Sequence, residues 1–465
     1  MSAPALWIAV PLLIGALTLL ALSERTAAIA GGLTCILLAI AALTIPIDEA
    51  LLVGPFSLKI GSTATLLGRT LILGGADGPL LAFIFAVAAM WFYGAEAAGV
   101  ARRLVPMCMI IVGLLIASLA VQPFLYAAML IEMAALAAIP LLVPPGEAPS
   151  RAVLKFLIYQ TLGMPCILLA GWLLAGVETS PGDLALTIQA TVMLSLGFAF
   201  LLAVFPLNDW IPGLMEDGDP YISGFLLWLL PNVIIVFGLS FLDGYAWLRG
   251  SPDIINGMRV LGLVMVSSAG LWSALERSLM RMFGHAVVAE SGLMMLATSL
   301  APDYGTDLIF AFFIPRGISM ALWALSLTVI RRGGTEYGLR ALRQIGRTHP
   351  WAGAGLVLAA LSIAGFPLLA GFPARMDVWT GLANVSTPSA LWFIAGLTGL
   401  MIGAVRQLAE LLAARADDWP IPVETMIQRG MLGLAMLALV VLGLYPRAAS
   451  FLVTRLPLMF EHLRP

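Results

Sequence analysis

A succession of fourteen apolar segments constrains this chain more than any other feature of its sequence. A transmembrane helix needs about 20 apolar residues to cross the hydrocarbon core of a bilayer. Only 11% of the residues are charged, whereas a soluble domain carries about 25%. The sequence therefore predicts an all-α, polytopic membrane protein. Its predicted segments cover residues 4–22, 27–44, 78–98, 106–121, 124–144, 153–176, 184–206, 221–243, 256–275, 282–300, 307–330, 350–370, 387–405 and 428–446.

The basic residues predict how these segments are oriented. Arg and Lys are enriched in cytoplasmic loops, and most of them follow odd-numbered segments, as in the 331–347 loop. The loops after even-numbered segments hold little beyond Lys59, Arg69 and Arg249. We therefore expect a multi-pass protein of the bacterial cytoplasmic (inner) membrane with both termini on the non-cytoplasmic side. The first segment lacks the basic start and the cleavage site of a signal peptide, so we expect it to be retained.

One long connection lies between the second and third segments. Its alternating stretches FSLKI and TLIL, residues 56–60 and 70–73, are typical of β-strands. The sequence predicts a short hairpin here, outside the membrane.

Proline interrupts two of the segments. The seventh, GFAFLLAVFPLNDWIP, breaks at Pro206, and the twelfth, AGFPLLAGFPAR, breaks at Pro367 and Pro373. Proline removes a backbone donor, and the freed carbonyl needs another partner inside a membrane. Paired breaks in two halves of a transporter indicate inverted repeats with an ion site between them. With 29 prolines in the chain, chance is the alternative explanation.

The paired breaks predict a division of the chain. Residues 1–105 would hold the first three helices and the hairpin. Residues 106–243 and 256–405 would form the two inverted five-helix repeats. Residues 406–465 would hold the fourteenth helix and a tail.

Few ionisable residues fall within the apolar segments, where a charge costs at least about 2.5–3.5 kcal/mol and usually faces a partner or water. Glu132 lies in the middle of its segment. Two roles are open for it: a member of a proton relay, or a carboxyl kept neutral by burial. His285 and Glu290 are five residues apart on one segment, which is not ideal for one helical face. The remaining candidates for a proton path are Lys155, Arg316 and Arg375. The side chain of Lys155 could instead extend to the membrane surface.

No cofactor is expected from this sequence. It has no phosphate-binding loop, nucleotide fingerprint or nucleophile triad, and its three histidines are too scattered for a metal site. The three cysteines lie in apolar runs without a CxxC spacing, which favours packing. No basic patch with interleaved aromatic residues suggests nucleic-acid binding. Any redox chemistry would have to lie in a partner subunit.

Four motifs, in order, resemble those of the antiporter-like membrane subunits of respiratory complex I. These subunits are related to subunits of Mrp-type Na⁺/H⁺ antiporters and of membrane-bound hydrogenases. MLIEMAALAAIPLL resembles the helix that carries the family's key glutamate, at Glu132, and SRAVLKFLIYQTLG resembles A-x-x-K-Y, with Lys155 as its lysine. The two interrupted segments resemble G-x-A-F-K-x-x-x-x-P-F-H-x-W-x-P and G-L-P-P-x-x-G-F-x-x-K. The resemblance implies fourteen helices and proton movement driven by a partner.

The sequence also departs from the family's motifs. The lysine of the seventh helix is replaced by Leu201 and the histidine after the proline by Asn208. The lysine of the eighth helix corresponds best to Asn232, the lysine of the K-R-x-x-A-Y-S-S segment to Met280, and the last lysine to Arg375. A buried lysine serves the family because its pKa can shift toward neutrality. Its loss leaves two explanations, a rewired path or a subunit that no longer conducts.

The first functional expectation is a non-redox, membrane-arm subunit of a complex-I-like or hydrogenase-like complex. It would take part in proton translocation coupled to quinone/NADH-type electron transfer in a partner, among other membrane subunits and lipid. The alternatives are a non-conducting structural subunit of such a complex, or a subunit of a cation/proton antiporter, moving protons or Na⁺, or of an inorganic-carbon uptake system.

Overall fold

The computed structural model describes residues 2–20, 23–53, 56–66, 68–143, 146–180, 183–332, 337–413 and 423–463. Twelve helices of the described chain are long and apolar enough to cross a membrane, and Ala5–Thr18 and Pro350–Ala364 are shorter apolar helices. Each of the fourteen predicted segments therefore overlaps a helix, and the predicted polytopic all-α fold is confirmed. The helices are α1 (Val10–Thr18), α2 (Glu24–Thr44), α3 (Gly78–Ala98), α4 (Ala101–Ala120), α5 (Ala127–Leu142), α6 (Arg151–Thr179), α7 (Leu184–Leu201), α8 (Trp210–Asp217), α9 (Pro220–Gly244), α10 (Ala246–Arg249), α11 (Pro252–Leu275), α12 (Leu279–Tyr304), α13 (Asp307–Arg332), α14 (Leu342–Thr348), α15 (Pro350–Ala364), α16 (Phe372–Val385), α17 (Thr387–Leu412), α18 (Met426–Leu444) and α19 (Ser450–Val453).

Polar side chains begin several of these helices. The hydroxyl of Ser150 accepts from the backbone N–H of Val153 at the start of α6, and Ser278 does the same for Arg281 in α12. The Asp219 carboxylate accepts from Tyr221 at 2.9 Å at the start of α9. Such caps satisfy N–H groups that have no partner within the helix.

The centre of the bundle is formed by α9, α12 and α13. Within the most apolar window of each helix, 89% of the α9 residues, 94% of the α12 residues and 78% of the α13 residues are buried. The corresponding fractions for α7 and α18 are only 22% and 11%. A polar side chain on α9, α12 or α13 therefore faces protein, whereas most of α7 and α18 faces outward.

Close backbone contact joins α11 to α17. A Cβ atom added at Gly270 would lie 2.8 Å from the carbonyl carbon of Gly396. Small residues let membrane helices approach in this way, which increases van der Waals contact where the hydrophobic effect is weak. Neither position has room for a side chain.

Several loops that follow odd-numbered predicted segments meet at one end of the bundle. Arg332, at the end of α13, donates to the carbonyl of Gly99 after α3 at 2.6 Å. Arg331 donates to the carbonyl of Gly218, between α8 and α9. Arg281 pairs with Glu216 at 3.4 Å. Cations near helix C-termini are favourable because they meet unpaired carbonyl groups.

The connection between α2 and α3 forms two hairpins rather than one. Strand β1 (Ala50–Val53) pairs with β2 (Phe56–Lys59), and β3 (Thr63–Leu66) pairs with β4 (Arg69–Ile72), both antiparallel. A short strand, β5 (Val121–Gln122), extends the second sheet beside β4. The expectation of a single hairpin was wrong. The two predicted strands do not pair with each other. Each pairs instead with the adjacent strand across a two-residue connection, the commonest length of a hairpin loop.

Candidate functional site

Two broken helices cross the bundle at the predicted places. α7 ends at Leu201 and the chain resumes as α8 at Trp210, whereas α15 ends at Ala364 and resumes as α16 at Phe372. Pro206 and Pro367 lie in the two gaps, and Pro373 lies in the first turn of α16. Each gap also holds a non-glycine residue in the left-handed region, Ala203 at φ 51° and Leu368 at φ 74°. Such residues are uncommon and cluster at functional sites.

The end of α7 is packed and apolar. The Leu201 side chain is only 3% exposed and lies against Gly163 of α6, where an added Cβ would come within 2.6 Å of a Leu201 methyl carbon. Gln160 donates to the freed carbonyl of Leu201 at 3.1 Å. Leu201, which the sequence motifs place at a family lysine, thus fills the contact between α6 and α7.

The predicted glutamate of the first half has no charged partner in the described part of the chain. Glu132, on α5, is partly exposed and makes no ion pair there. Lys155, on α6, pairs instead with Asp209 at the start of α8. Both of those side chains are about half exposed, at 45% and 54%. Glu132 and Lys155 therefore form no ion pair with each other in the structure as described.

His285 lies near one end of α12 and faces the end of α11. Its Nε2 atom is 4.0 Å from the Glu276 carboxylate, and its ring stacks on Trp272 with the centroids 6.4 Å apart. Glu276 also accepts from the Arg277 N–H at 2.8 Å and from the Arg281 side chain at 3.1 Å. Partial burial opposes ionisation of Glu276, but these donors and charges together hold its pKa below the usual range.

A fully buried ion pair lies farther along α12. The Glu290 carboxylate accepts from the Arg375 guanidinium, and the two side chains are 1% and 4% exposed. Arg375 is in the first turn of α16, directly after the break, and also donates to the carbonyl of Gly371 at 2.7 Å. This arginine therefore ties the broken segment to the carboxylate of α12.

A second buried arginine lies on α13. Arg316 donates to the Asn232 side-chain oxygen at 3.1 Å and to the carbonyl of Leu227 at 3.3 Å. Leu227 is four residues before Pro231 in α9, and proline cannot donate to that carbonyl. Arg316 supplies the missing donor. Its cation thus binds Asn232, the residue that the sequence motifs match best to a family lysine on α9.

Four side chains form one buried electrostatic site, which we call the central cluster: Glu290, Arg316, Arg375 and the amide of Asn232. Arg316 interacts electrostatically with Glu290. Two guanidinium groups and one carboxylate leave a formal charge of +1. Because arginine does not deprotonate in proteins, the carboxyl of Glu290 is the group of this cluster that can exchange a proton.

Hydroxyl groups extend the cluster toward the second break. Ser319, one turn after Arg316, donates to the Ser362 hydroxyl of α15 at 2.9 Å.

A cavity of about 10 Å³ lies beside the first break, bordered by Gln160, Leu201 and Ser291. That volume is near the minimum that holds one water molecule.

Residue patterns identified some of these positions and missed others. The cluster residues Glu290, Arg316 and Arg375 were predicted, and Asn232 was singled out as a replaced lysine. The partners Asp209, Glu276, Gln160 and Ser362 were not. The sequence signals for these partners were weak. Gln160 is a single amide within an apolar segment, and the acidic partners lie at helix ends. Of the other replaced positions, Met280 is buried near the start of α12 and Asn208 lies in the first break. Among the described residues, no cluster of side chains could hold a metal ion.

Residues 147–403, more than half of the chain, match the NADH:quinone oxidoreductase/Mrp antiporter transmembrane family. The chain belongs to this family. It is therefore a multi-pass membrane protein with the antiporter-like fold, as the motifs indicated.

Individual relatives agree with this assignment. NADH-quinone oxidoreductase subunit N of Cutibacterium acnes is 25% identical over 300 residues, which cover 60% of this chain and 54% of that protein. The chain thus spans about half the length of this relative.

Two solved structures share the fold. One is a chain of respiratory complex I from Thermus thermophilus, with a TM-score of 0.74, 19% identity and 99% of both chains covered. The other belongs to the membrane-bound sulfane sulfur reductase, an archaeal respiratory membrane complex, with a TM-score of 0.82 and 16% identity, covering 100% of this chain and 98% of that one. At such identities the likeness shows the fold alone.

Proposed function

We propose that this protein is an antiporter-like membrane subunit of a multisubunit energy-converting complex, where it takes part in proton translocation driven by electron transfer in a partner subunit. The observation that carries the proposal is the central cluster, a buried carboxylate held by Arg375 beside a broken helix. Buried charges are costly and mark ion or proton pathways in membrane proteins. The family relationship supports a multisubunit setting.

The two broken helices support a division into two inverted repeats, residues 106–243 and 256–405. The α7–α8 break would belong to the first repeat and the α15–α16 break to the second. The arginine-rich loops at one end of the bundle support placing that end in the cytoplasm of a bacterial cell, with both termini on the opposite side of the inner membrane.

In this proposal Glu290 is the switching group. When its carboxyl is ionised, Arg375 is held by Glu290 and in turn holds the carbonyl of Gly371 in the break. Protonation of Glu290 removes the charge that binds Arg375, so the broken segment is released. A neighbouring subunit could set that protonation state through its own charge, since Coulomb energies are large where water is excluded.

A proton would enter the second half past Glu276 and His285. His285 precedes Glu290 by five residues, which places it about 7.5 Å away along the helix axis. Glu132 and Lys155 would serve the first half only through water, since the structure shows no ion pair between them. Ser291 and Gln160 border the water-sized cavity between the halves, and a water there would link α12 to the first break.

The second candidate is a non-conducting structural subunit of the same kind of complex. The packing of Leu201 against Gly163 favours this candidate for the first half, because no titratable side chain replaces the family's lysine there. The two candidates share the assembly and differ in whether Glu290 exchanges protons.

Copurification tests the shared part of the proposal. A tagged copy expressed from its own locus, extracted in a mild detergent, should bring down further membrane subunits and at least one redox subunit. Recovery of the chain alone from membranes in which a control complex stays intact would count against the proposal.

A further inference from the structure

A cleft of about 310 Å³ opens between the two halves of the bundle, away from the central cluster. Phe198 of α7 and Ile234 and Phe241 of α9 line one side, and Met258 of α11 and Met295 of α12 line the other. The lining is almost wholly apolar. The charged side chain that borders this cleft is Asp253, in the first turn of α11.

The cleft opens sideways, through the outer surface of the bundle. α7 and α11, which flank it, are membrane-spanning helices with mostly outward-facing residues. Ile188 and Val192 of α7 and Val260 of α11 are more than half exposed. In a bilayer the mouth of the cleft therefore meets hydrocarbon, and an apolar chain can enter it without crossing water.

The size of the cleft selects a narrow occupant. An α-helix with its side chains is about 10–12 Å across, too wide for a cleft of this volume between packed helices. The volume lies at the lower end of the range for small-molecule sites, about 300–1,000 Å³. A single hydrocarbon chain matches both the volume and the lining.

The charge at the end of the cleft selects a headgroup. Asp253 makes no ion pair with the described residues, and the two nearest cations in sequence have other contacts. Arg249 donates to the carbonyls of Leu242 and Asp243, both at 3.0 Å, and Arg259 donates to Asn256 at 3.1 Å. An unpaired carboxylate at the membrane end of α11 attracts an ammonium group and repels an anionic headgroup.

We propose that this cleft binds one acyl chain of an amine-bearing phospholipid, with the ammonium group of its headgroup beside Asp253. Leu202 and Val204, from the gap after α7, also line the cleft. The bound chain therefore packs against the first broken helix and fills the space between the two halves. Its loss loosens that segment without touching the central cluster.

A phosphatidylethanolamine with a diazirine midway along one acyl chain tests this site. The full chain, in its native complex, is reconstituted in nanodiscs of phosphatidylethanolamine and phosphatidylglycerol, irradiated and mapped by peptide mass spectrometry. Labelling is expected on the α11 and α12 peptides that contain Met258 and Met295. Equally strong labelling by a phosphatidylglycerol probe overturns the headgroup assignment.

Gly257→Leu supplies a variant that fills the cleft. Gly257 borders the cleft, and a Cβ added there meets no heavy atom within 4 Å. Gly430→Leu is the matched control, since Gly430 of α18 has the same free space and lies outside the cleft. Gly257→Leu should reduce labelling at least fivefold, whereas Gly430→Leu should not change it. Asp253→Asn should remove the preference for phosphatidylethanolamine over phosphatidylglycerol.

Unchanged labelling of the cleft in Gly257→Leu, with both variants as thermally stable as the wild type, overturns the proposal. So does native mass spectrometry that finds a quinone or a polypeptide segment retained there instead of a phospholipid.

Discussion

Arg316 donates a 3.1 Å hydrogen bond to the side-chain oxygen of Asn232, so a cation on α13 meets the residue of α9 that the sequence motifs match best to a family lysine. The same guanidinium donates to the Leu227 carbonyl that Pro231 leaves without a helical donor. A cation is therefore still present beside α9, but it belongs to a side chain that cannot give up its proton. Arg316 therefore places a fixed positive charge beside α9.

Arg316→Met should destabilise the protein. It leaves the Leu227 carbonyl and the Asn232 oxygen buried without a donor, at a cost of about 1–3 kcal/mol for each unsatisfied group. Unfolding by SDS in mixed micelles measures the loss. Lys155→Met is the control, because its ion pair with Asp209 is about half exposed and such pairs contribute about 0–1 kcal/mol. Equal effects of the two substitutions would contradict the role given to Arg316.

Glu290→Gln should cost about 3–5 kcal/mol of unfolding free energy, because it leaves the buried Arg375 without its carboxylate. Adding Arg375→Met should recover most of that loss, since replacing a whole buried pair is often nearly neutral. A double-mutant cycle in the same micelles should give a coupling of roughly 2–3 kcal/mol. Additive effects would show that the two side chains do not interact.

Leu201→Lys should impair assembly. The new ammonium group would enter the packed contact with Gly163, and a lysine at membrane depth costs about 2.5–3.5 kcal/mol even on insertion scales. Leu201→Met, which conserves volume and polarity, should assemble normally. The yield of intact complex on a native gel measures both. Normal assembly of Leu201→Lys would show that a wet, lysine-accepting site remains in the first half.

The pH dependence of stability should depend on Glu276. Its pKa in the folded protein is lowered, so its stabilising contribution is present above its unfolded pKa, about 4.3. That contribution is lost as the pH falls through the lower, folded pKa. Thermal unfolding between pH 3 and pH 7 should show this loss in the wild type. Glu276→Gln should flatten that part of the profile, and a profile parallel to the wild type would contradict the assignment.

Much of the fold could be predicted from the sequence, because hydropathy and proline act locally. A run of apolar residues between polar ends forms a helix whatever its neighbours are, and Pro206 and Pro367 interrupt helices by removing donors. The order of the four motifs was enough to identify the family. The strands between α2 and α3 were predicted, but with the wrong pairing partners. Strand pairing depends on the turns as well as on the alternation of apolar and polar residues.

The site could be predicted only in part, because partnership between distant side chains depends on how helices pack. Glu290 and Arg375 are 85 residues apart, and whether they meet is decided by the rotation of α12 against α16. Their charges inside apolar segments made both residues candidates, but no local pattern paired them. Arg316 was a candidate for the proton path, and its hydrogen bonds to α9 depend on a carbonyl freed by Pro231. The proton-path roles of Glu132, Lys155 and His285 stay predictions.

The most direct test of the central claim is the proton-to-electron stoichiometry of the assembled complex carrying Glu290→Gln together with Arg375→Met. This double variant removes one negative and one positive charge, so the cluster keeps its formal charge of +1, now on Arg316, which retains its hydrogen bonds to Asn232 and Leu227. We expect assembly and electron transfer to be preserved while fewer protons move per electron in proteoliposomes. An unchanged stoichiometry in a fully assembled complex would contradict the account and favour a structural subunit.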